Sequence, residues 1–243
     1  MIKVDNLSVT YDNRVTAVDH VSLEIPAGRM VGIIGPNGAG KSSLIKGILN
    51  LVETSSGQVR FNDKSLKEVQ HRIAYVEQRS HFDLDFPIHV QDVVLMGTFP
   101  RLGWLKRPGK KEKQEALAAL KSVEMADFKD RQIGALSGGQ LQRILIARTL
   151  AQKADIIFLD EPFVGVDAKS EHIIIEQLHQ LRDEGKTIVV VHHDLGTVED
   201  YFDELILIDQ KLIDAGPVTE VFTRENLMQA YGSDAFLGMG AEN

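Results

Sequence analysis

The chain has 243 residues, 43% of them apolar, and a chain of that length hides roughly 70–75% of the surface its unfolded form exposes, which excludes a disordered polypeptide. Its 27 basic and 35 acidic residues give a formal net charge of -8, the wrong sign for a protein that coats phosphate backbones, so no nucleic-acid partner is expected. Cysteine is absent, which removes disulfides, thiolate metal sites, iron–sulfur ligation and a cysteine nucleophile together.

From the N-terminus, Ile2, Val4, Leu7, Val9 and Tyr11 alternate with polar residues, with a slip near Asn6 that predicts a bulge. Val21, Leu23 and Ile25 alternate again, so an antiparallel start is expected. Lys3 and Asp5 without a following apolar run predict no secretory signal. Met30–Ile34, Ile73–Val76, Ile156–Leu159 and Ile188–Val191 are short, nearly continuous apolar runs, the pattern of strands buried on both faces of a parallel sheet. Between the second and third of these, helices are predicted at Val90–Gly97, Lys111–Val123 and Gly139–Lys153. They make residues 80–153, approximately, a helical subdomain inserted into a single domain spanning 1–243. Ile206, Ile208, Leu212 and Ile213 flank a hairpin turn at Gln210-Lys211, and residues from Gly238 onward are expected to fray. No apolar run approaches the ~18 residues of a membrane span, so a membrane role must come through a partner.

The chemistry concentrates at strand ends. Gly35-Pro36-Asn37-Gly38-Ala39-Gly40-Lys41-Ser42 matches G-x-x-x-x-G-K-S, directly after the run Met30–Ile34 and before a helical segment that continues through Ser43 to Leu51. Glycines there let backbone N–H groups turn toward one anion, the helix start adds its dipole, and Lys41 reaches the outer phosphates. Ser42 is placed to ligate Mg²⁺. No N-K-x-D motif for guanine is present, which favours ATP. Ile156–Leu159 runs into Asp160-Glu161, where a strand-end Asp holds Mg²⁺ and a neighbouring Glu can polarise water. Gln78 closes Ile73–Val76 within reach of the same metal or water. His192 and His193 end another strand, and spacing alone does not choose which imidazole meets the γ-phosphate.

Leu136-Ser137-Gly138-Gly139-Gln140 opens a second helix with anion-binding character, since Ser137 is a natural N-cap and the glycines expose the first N–H groups. One triphosphate needs one cradle and the chain has two. Either there are two sites, or two chains share each nucleotide.

These residues together resemble the ATP-binding-cassette (ABC) ATPases along nearly the whole chain: GPNGAGKS at 35–42, Gln78, LSGGQ at 136–140, IIFLDE at 156–161, Asp167 in the D-loop and HHD at 192–194. The resemblance implies an α/β fold with a P-loop NTPase core, an antiparallel β subdomain and an inserted helical subdomain, and a MgATP-hydrolysing activity. It implies that His193 is the γ-phosphate switch and that Tyr11 stacks on adenine. It also implies a head-to-tail homodimer in which LSGGQ of one subunit closes over ATP on the P-loop of the other, and it counts Asp167 among the nucleotide-binding residues. Phe163-Val164-Gly165-Val166-Asp167 departs from the family's common SALD. With Asp85-Phe86-Pro87-Ile88 and Asp92-Val93-Val94-Leu95-Met96-Gly97, it resembles the subunits of manganese, zinc and iron importers. That subgroup implies a membrane permease, an extracytoplasmic metal-binding protein upstream and a place at the cytoplasmic face of the membrane, with manganese ranked before zinc and ferrous iron. A soluble cassette ATPase serving cofactor assembly is the rival reading.

Three further signals complete the reading. His172, Glu176 and His179 share a helical face opposite Ile174, Leu178 and Leu181, and are read as a solvated face rather than a metal site. The basic stretch from Arg101 to Lys113 is read as a solvated loop rather than a lipid contact. Phe82, Leu84, Phe86, Pro87 and Ile88, with no regular period, are read as a surface for the permease.

Overall fold

The computed structural model describes residues 1–12, 15–78, 86–102 and 106–232. In chain order these form β1 (Ile2–Tyr11), β2 (Val15–Ile25), β3 (Met30–Ile34), α1 (Lys41–Ile48), β4 (Thr54–Phe61), α2 (Leu66–Val69) and β5 (Ile73–Val76). There follow α3 (Val90–Met96), α4 (Phe99–Leu102), α5 (Lys110–Ser122), α6 (Gly138–Gln152), β6 (Ile156–Asp160) and α7 (Ala168–Asp183). The remaining elements are β7 (Thr187–Val191), α8 (Val198–Tyr201), β8 (Glu204–Asp209), β9 (Lys211–Pro217), α9 (Val218–Val221) and α10 (Arg224–Tyr231). The chain divides into two units, Met1–Gln70 with Thr187–Asn243, and His71–Lys186.

In the first unit, β1 lies between β2 and β4 in an antiparallel sheet. Its register shifts between Val4 and Leu7, where Asn6 takes a left-handed φ of 53°, so the slip in the alternation is a bulge. The unit's other strands follow the order β7-β3-β8-β9: β3 pairs in parallel with β7 and β8, and β8 turns antiparallel into β9. Every residue of β3 and β7 is buried, as their unbroken apolar runs require. The hairpin is tighter than predicted. Gln210 alone turns, at φ 56°, because Lys211 already pairs with Asp209. Helix α1 stops at Ile48, short of the predicted Leu51, because Asn50 goes left-handed at φ 52°.

In the second unit β5 and β6 pair in parallel, from Ile73 opposite Ile156 to Val76 opposite Leu159. Helix α6 is buried around most of its circumference, through Leu141, Ile144, Leu145, Ile146 and Ala147, and carries no single apolar stripe. Against it pack α3, through Val90, Val93 and Val94, and α5, through Ala116, Ala119 and Leu120. A β-carbon at Gly97 would collide with the Arg148 carbonyl, so the end of α3 approaches the α6 backbone more closely than a side chain allows.

The two ends of the basic stretch depart from the solvated-loop reading, whereas Lys106 and Arg107 are exposed outside any helix or strand and residues 103–105 lie outside the described residues. Lys110–Lys113 form the first turn of α5, because the Glu112 carboxylate accepts the Gly109 N–H at 2.7 Å and caps the helix. Arg101 lies in α4 and donates to Glu115 at 2.6 Å and to the Ala151 carbonyl at 2.8 Å, while Lys153 donates to Glu115 at 2.7 Å. These two cations hold the Glu115 carboxyl down to about 2. Three helices are thereby tied through one carboxylate. No described helix is long and apolar enough to cross a membrane. Phe82 and Leu84 lie outside the described residues, as does the tail from Gly238; Phe86 is described, and 59% exposed.

Candidate nucleotide site

The first unit carries the phosphate loop. Strand β3 delivers Gly35, and the loop closes at Gly40, the N-cap of α1, with φ 90° and no room for a β-carbon against the Ala17 carbonyl. Having no side chain, Gly40 cannot cap, so no side chain closes the start of α1. Gly38, at φ 82°, has open space where a side chain would stand. Lys41 is only 5% exposed, and its ammonium donates to the carbonyls of Gly35 at 2.7 Å and Pro36 at 2.9 Å. An uncapped helix start with a buried ammonium beside it fits a polyphosphate. Tyr11, exposed at the end of β1, has its hydroxyl 3.3 Å from Ser43 Oγ, which places an aromatic ring next to the same helix start.

The two histidines ending β7 differ in surroundings. His192 is buried, with its Nε2 2.8 Å from Thr197 Oγ1 and its ring edge-on to Phe202. Burial pushes it down to about 4, so it is neutral at physiological pH. It belongs to the core. His193 is half-buried.

The second unit carries the carboxylates. The β5–β6 register brings their ends together: Tyr75 Oη donates to Asp160 at 3.5 Å, and Gln78 Nε2 donates to Glu161 at 2.5 Å. Asp160 is 3% exposed. Glu161 adopts φ 52°, a left-handed conformation that costs a non-glycine residue roughly 1–2 kcal/mol and persists where the surroundings impose it. A buried carboxylate with a second beside it is the oxygen donor chemistry that Mg²⁺ takes. Further along, Ser137 caps α6 in a closed box: its Oγ accepts the Gln140 N–H at 3.3 Å, and its own N–H donates to Gln140 Oε1 at 2.9 Å. Asp167 caps α7 through Ser170, whose N–H and hydroxyl hold the carboxyl below its ordinary range.

The sequence profile of the ABC transporter family matches residues 18–164. The chain belongs to the ABC transporter family. Its α/β, P-loop fold is that of the solved cassettes. A dimeric ATP-binding cassette in a post-hydrolysis state with ADP and phosphate superposes with a TM-score of 0.79 at 29% identity, covering 90% of this chain and 99% of that one. Among curated relatives, the Manganese transport system ATP-binding protein MntB of Listeria monocytogenes is 56% identical over 95% of this chain and 96% of its own. The Zinc transport system ATP-binding protein TroB of Treponema pallidum is 49% identical over 95% of this chain and 86% of its own. As an ABC ATPase, this chain hydrolyses ATP to drive transport.

Each unit of this ABC subunit gathers its own share of the expected residues: Tyr11, Gly35–Ser43 and His193 in the first, Gln78, Asp160, Glu161, Ser137–Gln140 and Asp167 in the second. Sequence reasoning passed over Tyr75, whose hydroxyl reaches Asp160; a tyrosine inside an otherwise apolar strand was the available signal. On α7, His172 Nε2 and Glu176 Oε1 lie 3.2 Å apart with both side chains well exposed, in keeping with the solvated-face reading.

Proposed function

We propose that this chain is the ATP-hydrolysing subunit of an importer of a transition-metal ion, with manganese before zinc or ferrous iron as cargo. It works as a homodimer at the cytoplasmic face of the membrane. A separate permease forms the path, and an extracytoplasmic metal-binding protein delivers the ion. The observation that carries the choice of metal is the 56% identity, along nearly the whole chain, to a subunit named for manganese transport.

In this reading Gly35–Ser43 cradle the phosphates, Lys41 supplies charge to the outer ones, and Tyr11 stacks on adenine. Ser42, Asp160 and Gln78 would hold Mg²⁺, which supplies neutralisation of the charge on the phosphates when bound. Glu161, positioned by the Gln78 amide, takes a proton from the attacking water, and His193 contacts the γ-phosphate. Ser137–Gln140 and Asp167 serve the nucleotide of a second copy. Exposed Phe86 supplies an apolar anchor for a cytoplasmic segment of the permease.

Uptake of radioactive manganese by cells whose own copy is replaced tests the reading. Lys41→Ala and Glu161→Gln are expected to abolish uptake, with unlabelled manganese competing better than zinc or iron. Phe86→Asp is expected to leave folding and ATP binding intact while losing copurification with the permease. Undiminished manganese uptake, with the chain recovered free of membranes, would instead support a soluble assembly ATPase.

A further inference from the structure

The second glycine of the LSGGQ segment stands against the loop that opens α7. A β-carbon built on Gly139 would fall inside hard contact with Asp167 Oδ2, at 2.8 Å from Ser170 Oγ and 3.1 Å from Ser170 Cβ. Asp167 is held there. Its Oδ1 accepts the Ser170 N–H at 2.9 Å and its Oδ2 the Ser170 hydroxyl at 2.8 Å, the bonds that cap α7. Helix α6 also carries Arg143, 9% exposed, whose Nη1 donates to the Val123 carbonyl at 3.2 Å. Its buried Nε has no hydrogen-bond partner among the described residues. For the Asp167 carboxyl, attraction to Arg143 is the smallest of the influences that lower it, after the Ser170 N–H and hydroxyl.

We propose that Asp167 is a positioning residue for the LSGGQ segment. Its carboxylate, held by the Ser170 N–H and hydroxyl, fills the space a side chain at 139 would need, and Ser137–Gln140 moves with the loop before α7 as one body. The functional part rests on the reading that this segment serves the nucleotide of a second copy. It gives Gly139 a reason to be glycine within its own chain, separate from any room the nucleotide needs.

Melting of the nucleotide-free chain tests the contact without that reading. In the first turn of an unobstructed helix Gly→Ala raises the melting temperature. Here Gly139→Ala is expected to lower it by about 4 °C or more, as overpacking does in a chain of this size. Asp167→Ser keeps a capping hydroxyl and removes the obstructing oxygen; in that background Gly139→Ala should cost less than half as much. ATP-driven dimerisation, measured with Glu161→Gln present, should be lost in Gly139→Ala and return in part with Asp167→Ser. If Gly139→Ala does not fold alone, recovery of folded protein in the double variant supports the proposal, and failure of both overturns it. A melting temperature unchanged or raised by Gly139→Ala, or additive losses in the double variant, also overturns it. Failure of Glu161→Gln itself to dimerise with ATP contradicts the shared-site reading and leaves the melting test to decide the contact.

Discussion

Two helices in this chain begin at glycine-rich segments suited to anions, and they are prepared differently. At α1 the N-cap is a glycine with no side chain, so no side chain caps the helix start, and a buried ammonium lies beside it. At α6 a serine and a glutamine close a capping box, so two donors are already satisfied within the chain. The open start suits tight binding of phosphate by the single subunit, because no capping side chain competes with the ligand there. The closed start keeps fewer donors for a ligand, so it suits a segment that meets a nucleotide already held elsewhere. A glycine-rich helix start is therefore a different device according to whether its own side chains have capped it.

Changes at each device should separate these roles, and the largest effect lies at neither start. Glu161→Gln is expected to slow single-turnover hydrolysis by about 10²–10⁴ while ATP affinity stays within twofold, since it removes a proton acceptor and no phosphate contact. Lys41→Ala, at the open start, should weaken ATP binding by about 10–100-fold in a nucleotide titration, the value of a hydrogen bond to a charged group. Ser137→Ala, at the closed start, should cost ~1 kcal/mol, or about 2–4 °C in thermal melting, with ATP affinity of the isolated subunit unchanged. Equal losses of affinity at the two starts would erase the distinction.

The smallest expected effect concerns the helices around the closed start. Glu115 is held at about 2 by Arg101 and Lys153. Its folded value is below its ordinary one, so its contribution to stability is full above about pH 4.5 and fades as pH falls toward 2. Replacing it with Gln should flatten that part of the acid limb in a melting series against pH. An unchanged limb would remove the Glu115 link from the account.

Much of the core was legible because burial on both faces leaves an unbroken apolar run. β3 and β5 begin and end where such runs do, and β7 begins one residue before its run, at Thr187. β4 was not legible. Thr-Ser-Ser-Gly-Gln is polar, and the strand exists through its pairing with β1, a long-range contact that local pattern does not record. The tie from Arg101 to Glu115 escaped for the same reason, and a run of positive charge looked like a loop. At the candidate site the glycine-lysine loop and the strand-end carboxylates could be read because their residue types follow from phosphate and metal chemistry. Which of two adjacent histidines is buried depended on Phe202 and Thr197, which only the fold brings to His192.

Sedimentation of the Glu161→Gln protein with and without ATP tests the central claim most directly, that the closed start of one chain completes the open start of another. The account predicts a largely monomeric protein without nucleotide and a dimer at saturating MgATP, with the dimer abolished by Lys41→Ala. A protein that binds ATP yet remains monomeric well above micromolar concentration would contradict it.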